Sequence, residues 1–172
     1  MPRAATSSAG SASSAHRQSW PNVSKQASED KADSPTLLWI DDFRPGLDLY
    51  KSMLEMHGFR VLTAASGAEG IRLALWNKLD LVITDYEMPG LDGEVVATAI
   101  KTLYPGTPVL LFSGSTIVPD RCRHSVDAIC DKAQSRNELL AAIHFLLHKK
   151  RTRALQPPIA WRASEDRHRT VA

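Results

Sequence analysis

Five short apolar runs, four of them followed by a stretch of helical spacing, constrain this chain more than any other feature. The runs are Thr36–Ile40, Arg60–Ala64, Leu81–Ile83, Val109–Phe112 and Val126–Cys130. Between and after them, apolar residues recur three or four apart. They are Leu47, Tyr50, Met53 and Leu54; Ala68, Ile71 and Leu75; Val96, Ile100 and Leu103; and Leu139, Leu140, Ile143, Leu146 and Leu147. Pro45 suits a first helical turn and Gly58 a C-terminal cap. Ser66 with Glu69, and Ser135 with Glu138, form capping boxes. The third and fourth runs show no polar alternation, as expected of strands buried on both faces. The pattern predicts an α/β fold with a parallel sheet covered by helices on both sides.

Right-handed crossovers bring the carboxyl ends of all the strands to one edge. That edge collects Asp41 and Asp42 after the first run, Asp85 after the third, Ser113 after the fourth and Lys132 after the fifth. A single Asp in such a place is often only a helix cap. Five polar positions at four strand ends form a ligand crevice instead. Two carboxylates about 4 Å apart repel by roughly 4 kcal/mol at an effective dielectric near 20. Three therefore require a cation, and hard oxygen donors around an open position suit Mg²⁺. Lys supplies a point charge and Ser a hydroxyl for a phosphate oxygen. The most exposed carboxylate would be a nucleophile able to form an acyl phosphate.

Ile40-Asp-Asp-Phe43, Asp85-Tyr-Glu-Met-Pro-Gly-Leu-Asp-Gly93, Ser113-Gly114 and Asp131-Lys132 resemble the signature of the response regulator receiver domain. The resemblance spans about 36–147. It implies a flavodoxin-like doubly wound sheet of five parallel strands in order 2-1-3-4-5. It makes Asp85 the acceptor of phosphate from a histidine kinase or phosphotransfer protein. It assigns Mg²⁺ to Asp42, Asp85 and the backbone carbonyl of Glu87, with Asp41 acting largely through water. Ser113 and Lys132 would contact the phosphoryl group, and Gly114 would leave access to it. Glu87 and Ser115, flanking the site, would tune the lifetime of the phosphorylated state.

Three features depart from that family's pattern. Ala133 stands where Pro usually follows the lysine, so a trans bond is expected there, with a loop that shifts Lys132 or loosens its approach. Ile129 occupies the position of the switch aromatic and offers no ring to reorient. The stretch from Ser113 to Ile129 is short by roughly one helical turn, with Pro119 and His124 interrupting its helix. Cys122 and Cys130, with His124 nearby, lack zinc-site spacing and read as unpaired thiols of a reducing compartment. Trp39 and Trp76 are expected in or beside the core, and His144 is expected to be partly exposed.

Outside 36–147 the composition changes. Residues 1–35 hold nine Ser and seven Ala, with Val23 their only Val, Ile, Leu or Phe. Such a segment is expected to be a disordered arm. Residues 148–172 carry seven Lys or Arg against two acidic residues, a net of +5, and read as a disordered basic tail. The central segment has ten basic and fourteen acidic residues, a net of −4. The Lys149–Arg153 cluster fits a helix C-terminus better than a nucleic-acid contact, while Leu155, Ile159 and Trp161 are able to dock. The longest apolar run, Leu139–Leu147, is about half of what a membrane span needs, and a cytoplasmic location is expected. The reading is a single-domain response regulator in a phosphorelay that signals through a downstream protein rather than acting as an enzyme. The alternative is a phosphorylation-independent adaptor, or a phosphate sink, with an atypical switch.

Overall fold

The computed structural model describes residues 34–114 and 118–155. The Ser/Ala-rich arm up to residue 33, Ser115 and residues 156–172 lie outside the described residues. The chain runs β1 (Thr36–Ile40), α1 (Arg44–Met56), β2 (Arg60–Ala64), α2 (Gly67–Trp76), β3 (Leu81–Thr84) and α3 (Gly93–Leu103). It continues through β4 (Val109–Ser113), a 3-10 helix (Asp120–His124), β5 (Ala128–Asp131) and α4 (Arg136–Leu155). The five strands form one parallel sheet in the order β2-β1-β3-β4-β5. This is the flavodoxin-like topology expected from the sequence, although β5 begins two residues later than its apolar run.

Strand alternation divides the core in two. Leu37, Trp39, Leu81, Ile83, Leu110 and Phe112 face one side, where Leu47 and Leu54 of α1 and Leu139, Ile143 and Leu146 of α4 cover them. Leu38, Ile40, Val82 and Val109 face the other side, against Ala74 of α2 and Val96, Ala97 and Ile100 of α3. Local chemistry sets where the helices begin. The Ser66 hydroxyl accepts from the Glu69 N–H at 3.3 Å, and the Glu69 carboxylate accepts from the Ala65 N–H at 2.9 Å. Ser135 and Glu138 repeat this exchange at the start of α4. Asp92 caps α3 by accepting from the Val95 N–H at 2.9 Å. After α1, Gly58 turns the chain at φ +84°, a left-handed conformation that glycine adopts without strain.

Three expectations need correction. The buried stripe of α2 is Gly67, Gly70 and Ala74, whereas Ala68 and Leu75 are exposed. A Cβ on Gly70 would lie 2.3 Å from Ile40 Cδ1, so close approach to the sheet selects small residues there. Leu75 and Trp76 of that helix point outward, and Trp76 is 83% exposed; Trp39 by contrast is fully buried. The basic tail is not disordered from residue 148: α4 continues to Leu155, so Lys149–Arg153 forms its last turns. Within these turns the Lys150 ammonium bonds the Leu79 carbonyl at 2.8 Å and Asp80 at 3.2 Å, which anchors them to the domain. The crossover between β4 and β5 is short and interrupted as expected: its described residues include five residues of 3-10 helix.

Candidate functional site

Two backbone hydrogen bonds place the acidic residues. Ile40 and Thr84 are register partners, and each is followed at once by an aspartate. The Asp85 N–H donates to the Ile40 carbonyl at 2.8 Å, and the Asp41 N–H to the Ala64 carbonyl at 3.1 Å. On the other side of the crevice the Lys132 N–H donates to the Ser113 carbonyl at 2.9 Å, extending the β4–β5 ladder by one step. Carboxylate oxygens of Asp41, Asp42 and Asp85 consequently lie within 4.8 Å of one another. Asp41 and Asp85 are buried and Asp42 is exposed, so exposure alone would single out Asp42 and not Asp85, the residue that the family motif assigns as acceptor.

Each buried carboxylate divides its oxygens between a backbone donor and one lysine. Asp41 Oδ1 accepts from the Phe43 N–H at 2.9 Å and Asp85 Oδ1 from the Tyr86 N–H at 2.7 Å. Their Oδ2 atoms accept from Lys132 Nζ at 2.9 and 2.8 Å. Ala133 has therefore not displaced Lys132, contrary to expectation. The turn after the lysine is held by Asp131, whose carboxylate accepts from the Ala133 N–H at 2.8 Å and whose carbonyl accepts from the Gln134 N–H at 3.0 Å. All peptide bonds among the described residues are trans.

Burial pushes the Asp85 carboxyl up, and the neighbouring Asp41 adds to the rise. The Lys132 hydrogen bond and charge, with the Tyr86 N–H, oppose it without cancelling it. For Lys132, burial acts to lower the ammonium's pKa, but its bonds to Asp85 and Asp41 outweigh burial and raise it. The site is thus short of positive charge. Three carboxylates and one ammonium leave a formal −2, which a divalent cation would neutralise. The all-oxygen donor set fits Mg²⁺.

The remaining predicted residues fall around this centre. Ser113 is buried at the end of β4, and Glu87 is exposed in the loop after Asp85. A Cβ on the exposed Gly114 would meet only Lys132 Cδ, at 3.8 Å, so this position has room for a small side chain. Ile129 is half-buried and pairs with Leu111. The two cysteines are buried and separate, Cys122 lying 3.1 Å from Glu94 Oε2 and Cys130 3.0 Å from Gln134 Oε1. His124 and His144 are exposed.

Two residues with clear roles at the site were not read as site residues from the sequence, although Gly93 closes the Asp85–Gly93 motif. The Phe112 ring lies 5.9 Å from Lys132 Nζ, a cation–π distance, and meets Trp39 and Tyr50 edge-on at 5.3 Å. Strand parity places Phe112 and Trp39 on one face, but not beside the lysine. Gly93 is the second. A Cβ there would stand 2.2 Å from the Asp85 carbonyl oxygen, so only glycine lets α3 begin against the loop that carries Asp85. Its N–H donates to the Tyr86 carbonyl at 2.9 Å.

Comparison with known proteins gives the same picture. Residues 37–144 match the family model of the response regulator receiver domain. The transcriptional regulatory protein PrrA of Mycobacterium bovis is 34% identical over 120 residues, which is 68% of this chain and 52% of PrrA. The transcriptional regulatory protein GlrR of Escherichia coli is 39% identical over 84 residues, 49% of this chain and 19% of GlrR. The chain thus spans about half or less of the length of these curated relatives. A receiver domain protein from Clostridium thermocellum superposes with a TM-score of 0.65 at 30% identity, covering 69% of this chain and 98% of that one. The response regulator TrrA of Thermotoga maritima, solved in complex with Mg²⁺ and BeF, gives a TM-score of 0.63 at 27% identity over 65% of this chain and 98% of its own. By its matched residues, its sheet order and its acidic edge, this chain belongs to the response regulator receiver domain family of two-component systems.

Proposed function

We propose that Asp85 accepts a phosphoryl group from a histidine kinase or phosphotransfer protein, and that the chain works as a single-domain cytoplasmic regulator acting through a downstream protein. The observation that carries this reading is the charge imbalance at the carboxyl edge: three carboxylates within 4.8 Å of one another and a single lysine joining two of them. Asp42, Asp85 and the Glu87 carbonyl would hold Mg²⁺, with Asp41 acting mainly through water. The ion supplies charge neutralisation for the carboxylates and the incoming phosphoryl oxygens.

The chain's own residues do the rest. One Asp85 oxygen attacks phosphorus as the P–N bond of the phosphohistidine breaks, and the imidazole leaves with the electron pair. Burial keeps Asp85 a more basic, better nucleophile than a solvated carboxylate. The Lys132 ammonium, now on Asp85 Oδ2, is within reach of a new phosphoryl oxygen at the same place, and Ser113 offers a hydroxyl to another. The full chain incubated with Mg²⁺ and acetyl phosphate should gain the mass of one phosphoryl group. Asp85→Asn should gain none. Absence of any gain in the folded wild-type chain would overturn the proposal.

A second reading rests on Ile129 and the 3-10 helix, which put an aliphatic side chain and, among the described residues, no α-helix where the family's switch lies. In that reading the chain is an adaptor whose partner binding does not depend on phosphate, or a phosphate sink. Partner affinity unchanged in Asp85→Asn would favour the adaptor.

A further inference from the structure

At the amino edge of the sheet, the C-terminal turns of α2, α3 and α4 line a groove of about 790 Å³. Leu75 and Trp76 come from α2, Leu103 and Tyr104 from the end of α3, and Arg153 and Ala154 from α4. The four apolar residues are exposed, Trp76 most of all at 83%. Large apolar residues gathered in one concave place mark a contact surface. Nothing in the phosphoryl chemistry uses this groove, because it lies at the opposite ends of the strands from Asp85.

We propose that residues 156–161 of this same chain, Gln156-Pro157-Pro158-Ile159-Ala160-Trp161, dock in this groove, with the prolines and Trp161 against Trp76 and Tyr104. Arg153 and Ala154 belong to the groove wall, so the next residues start at its rim. Two consecutive prolines cannot continue α4, and they favour an extended polyproline segment. Such segments bind aromatic-lined grooves because little chain entropy remains to be lost. At about 3.1 Å per residue, the six residues from Gln156 to Trp161 reach about 19 Å, enough to cross between helices packed 8–10 Å apart. The tether makes the effective concentration about millimolar, so modest stacking contacts suffice.

The full-length chain labelled with 5-fluorotryptophan gives a separate ¹⁹F signal for each of Trp20, Trp39, Trp76 and Trp161, assigned by Trp→Phe variants. Trp161→Ala should move the Trp76 signal and raise its iodide quenching about twofold, as expected when a tethered contact is lost. The buried Trp39 should not respond. Tyr104→Ser, on the groove side, should expose Trp161 in return. All these responses should be independent of protein concentration. Trp76 unaffected by Trp161→Ala, together with Trp161 as accessible as in a free 156–166 peptide, would overturn the proposal. So would a response that grows with concentration, which would assign the groove to a second copy of the chain.

Discussion

The two edges of the sheet use the same residue types to opposite ends. At the amino edge each acid has its own cation and its own backbone donor. Asp80 accepts from the Thr36 N–H at 2.9 Å and pairs with Lys150, while Asp127 accepts from the Val109 N–H at 2.8 Å and pairs with Lys101. Both fasten the start of a strand. At the carboxyl edge Asp41, Asp42 and Asp85 lie together, and one lysine, Lys132, pairs with Asp41 and Asp85. Balanced pairs of this kind add a little stability and nothing more. An unbalanced cluster costs stability and persists where a ligand completes it.

That contrast can be broken first at Asp85. Asp85→Asn should abolish phosphoryl uptake, read by intact mass, and yet raise the urea unfolding midpoint at neutral pH. The sign follows from burial, which raises the Asp85 pKa. Its favourable protonated form is fully present below the ordinary carboxylate range and is lost as pH rises through the elevated pKa. The advantage of the variant should therefore shrink on acidification, as followed by urea unfolding at several pH values. An advantage that grew at low pH would contradict the placement of Asp85 in a buried acidic cluster.

Gly93→Ala tests the support beneath the same edge. A Cβ forced 2.2 Å from the Asp85 carbonyl should cost about 3 kcal/mol by overpacking and lower the melting temperature. Lys132→Met should cost about 2 kcal/mol, since it leaves two buried carboxylates facing each other without their cation. Millimolar Mg²⁺ should restore part of that loss, measured by thermal melts with and without the ion. Because the Lys132 pKa is raised, its contribution in the wild-type chain should hold through neutral pH and disappear only as pH climbs through the elevated value. The smallest effect belongs to the other edge. Lys150→Met should cost about 0.5 kcal/mol and leave phosphoryl uptake unchanged.

Much of this was legible in advance because it follows from short-range rules. Apolar runs of three to five residues marked the strands, and Ser66–Glu69 and Ser135–Glu138 marked helix starts through their own backbone bonds. The helix faces were less legible. A periodic stripe of large residues pointed to Ile71 and Leu75 on α2, but the packed face consists of Gly67, Gly70 and Ala74, because two surfaces approaching closely exclude bulk. The same close approach leaves Leu75 and Trp76 on the groove. Lys132 shows a limit of another kind. Ala133 pointed to a shifted or loosened Lys132, yet Asp131 holds the turn after it and Lys132 reaches both Asp41 and Asp85.

By itself the sequence determined the elements, their alternation and the sheet edge to which Asp41, Asp42, Asp85, Ser113 and Lys132 had to come. Strand parity and right-handed crossovers leave few other arrangements. Only the tertiary structure decided how charge is shared at that edge. A bond such as Lys132 to both Asp41 and Asp85 joins residues 91 and 47 positions apart, and its geometry depends on register and burial rather than on neighbours in the chain. The helical extension to Leu155 was likewise decided in three dimensions. Basic residues that read as a free tail are held by the Leu79 carbonyl and Asp80, groups 71 and 70 positions away.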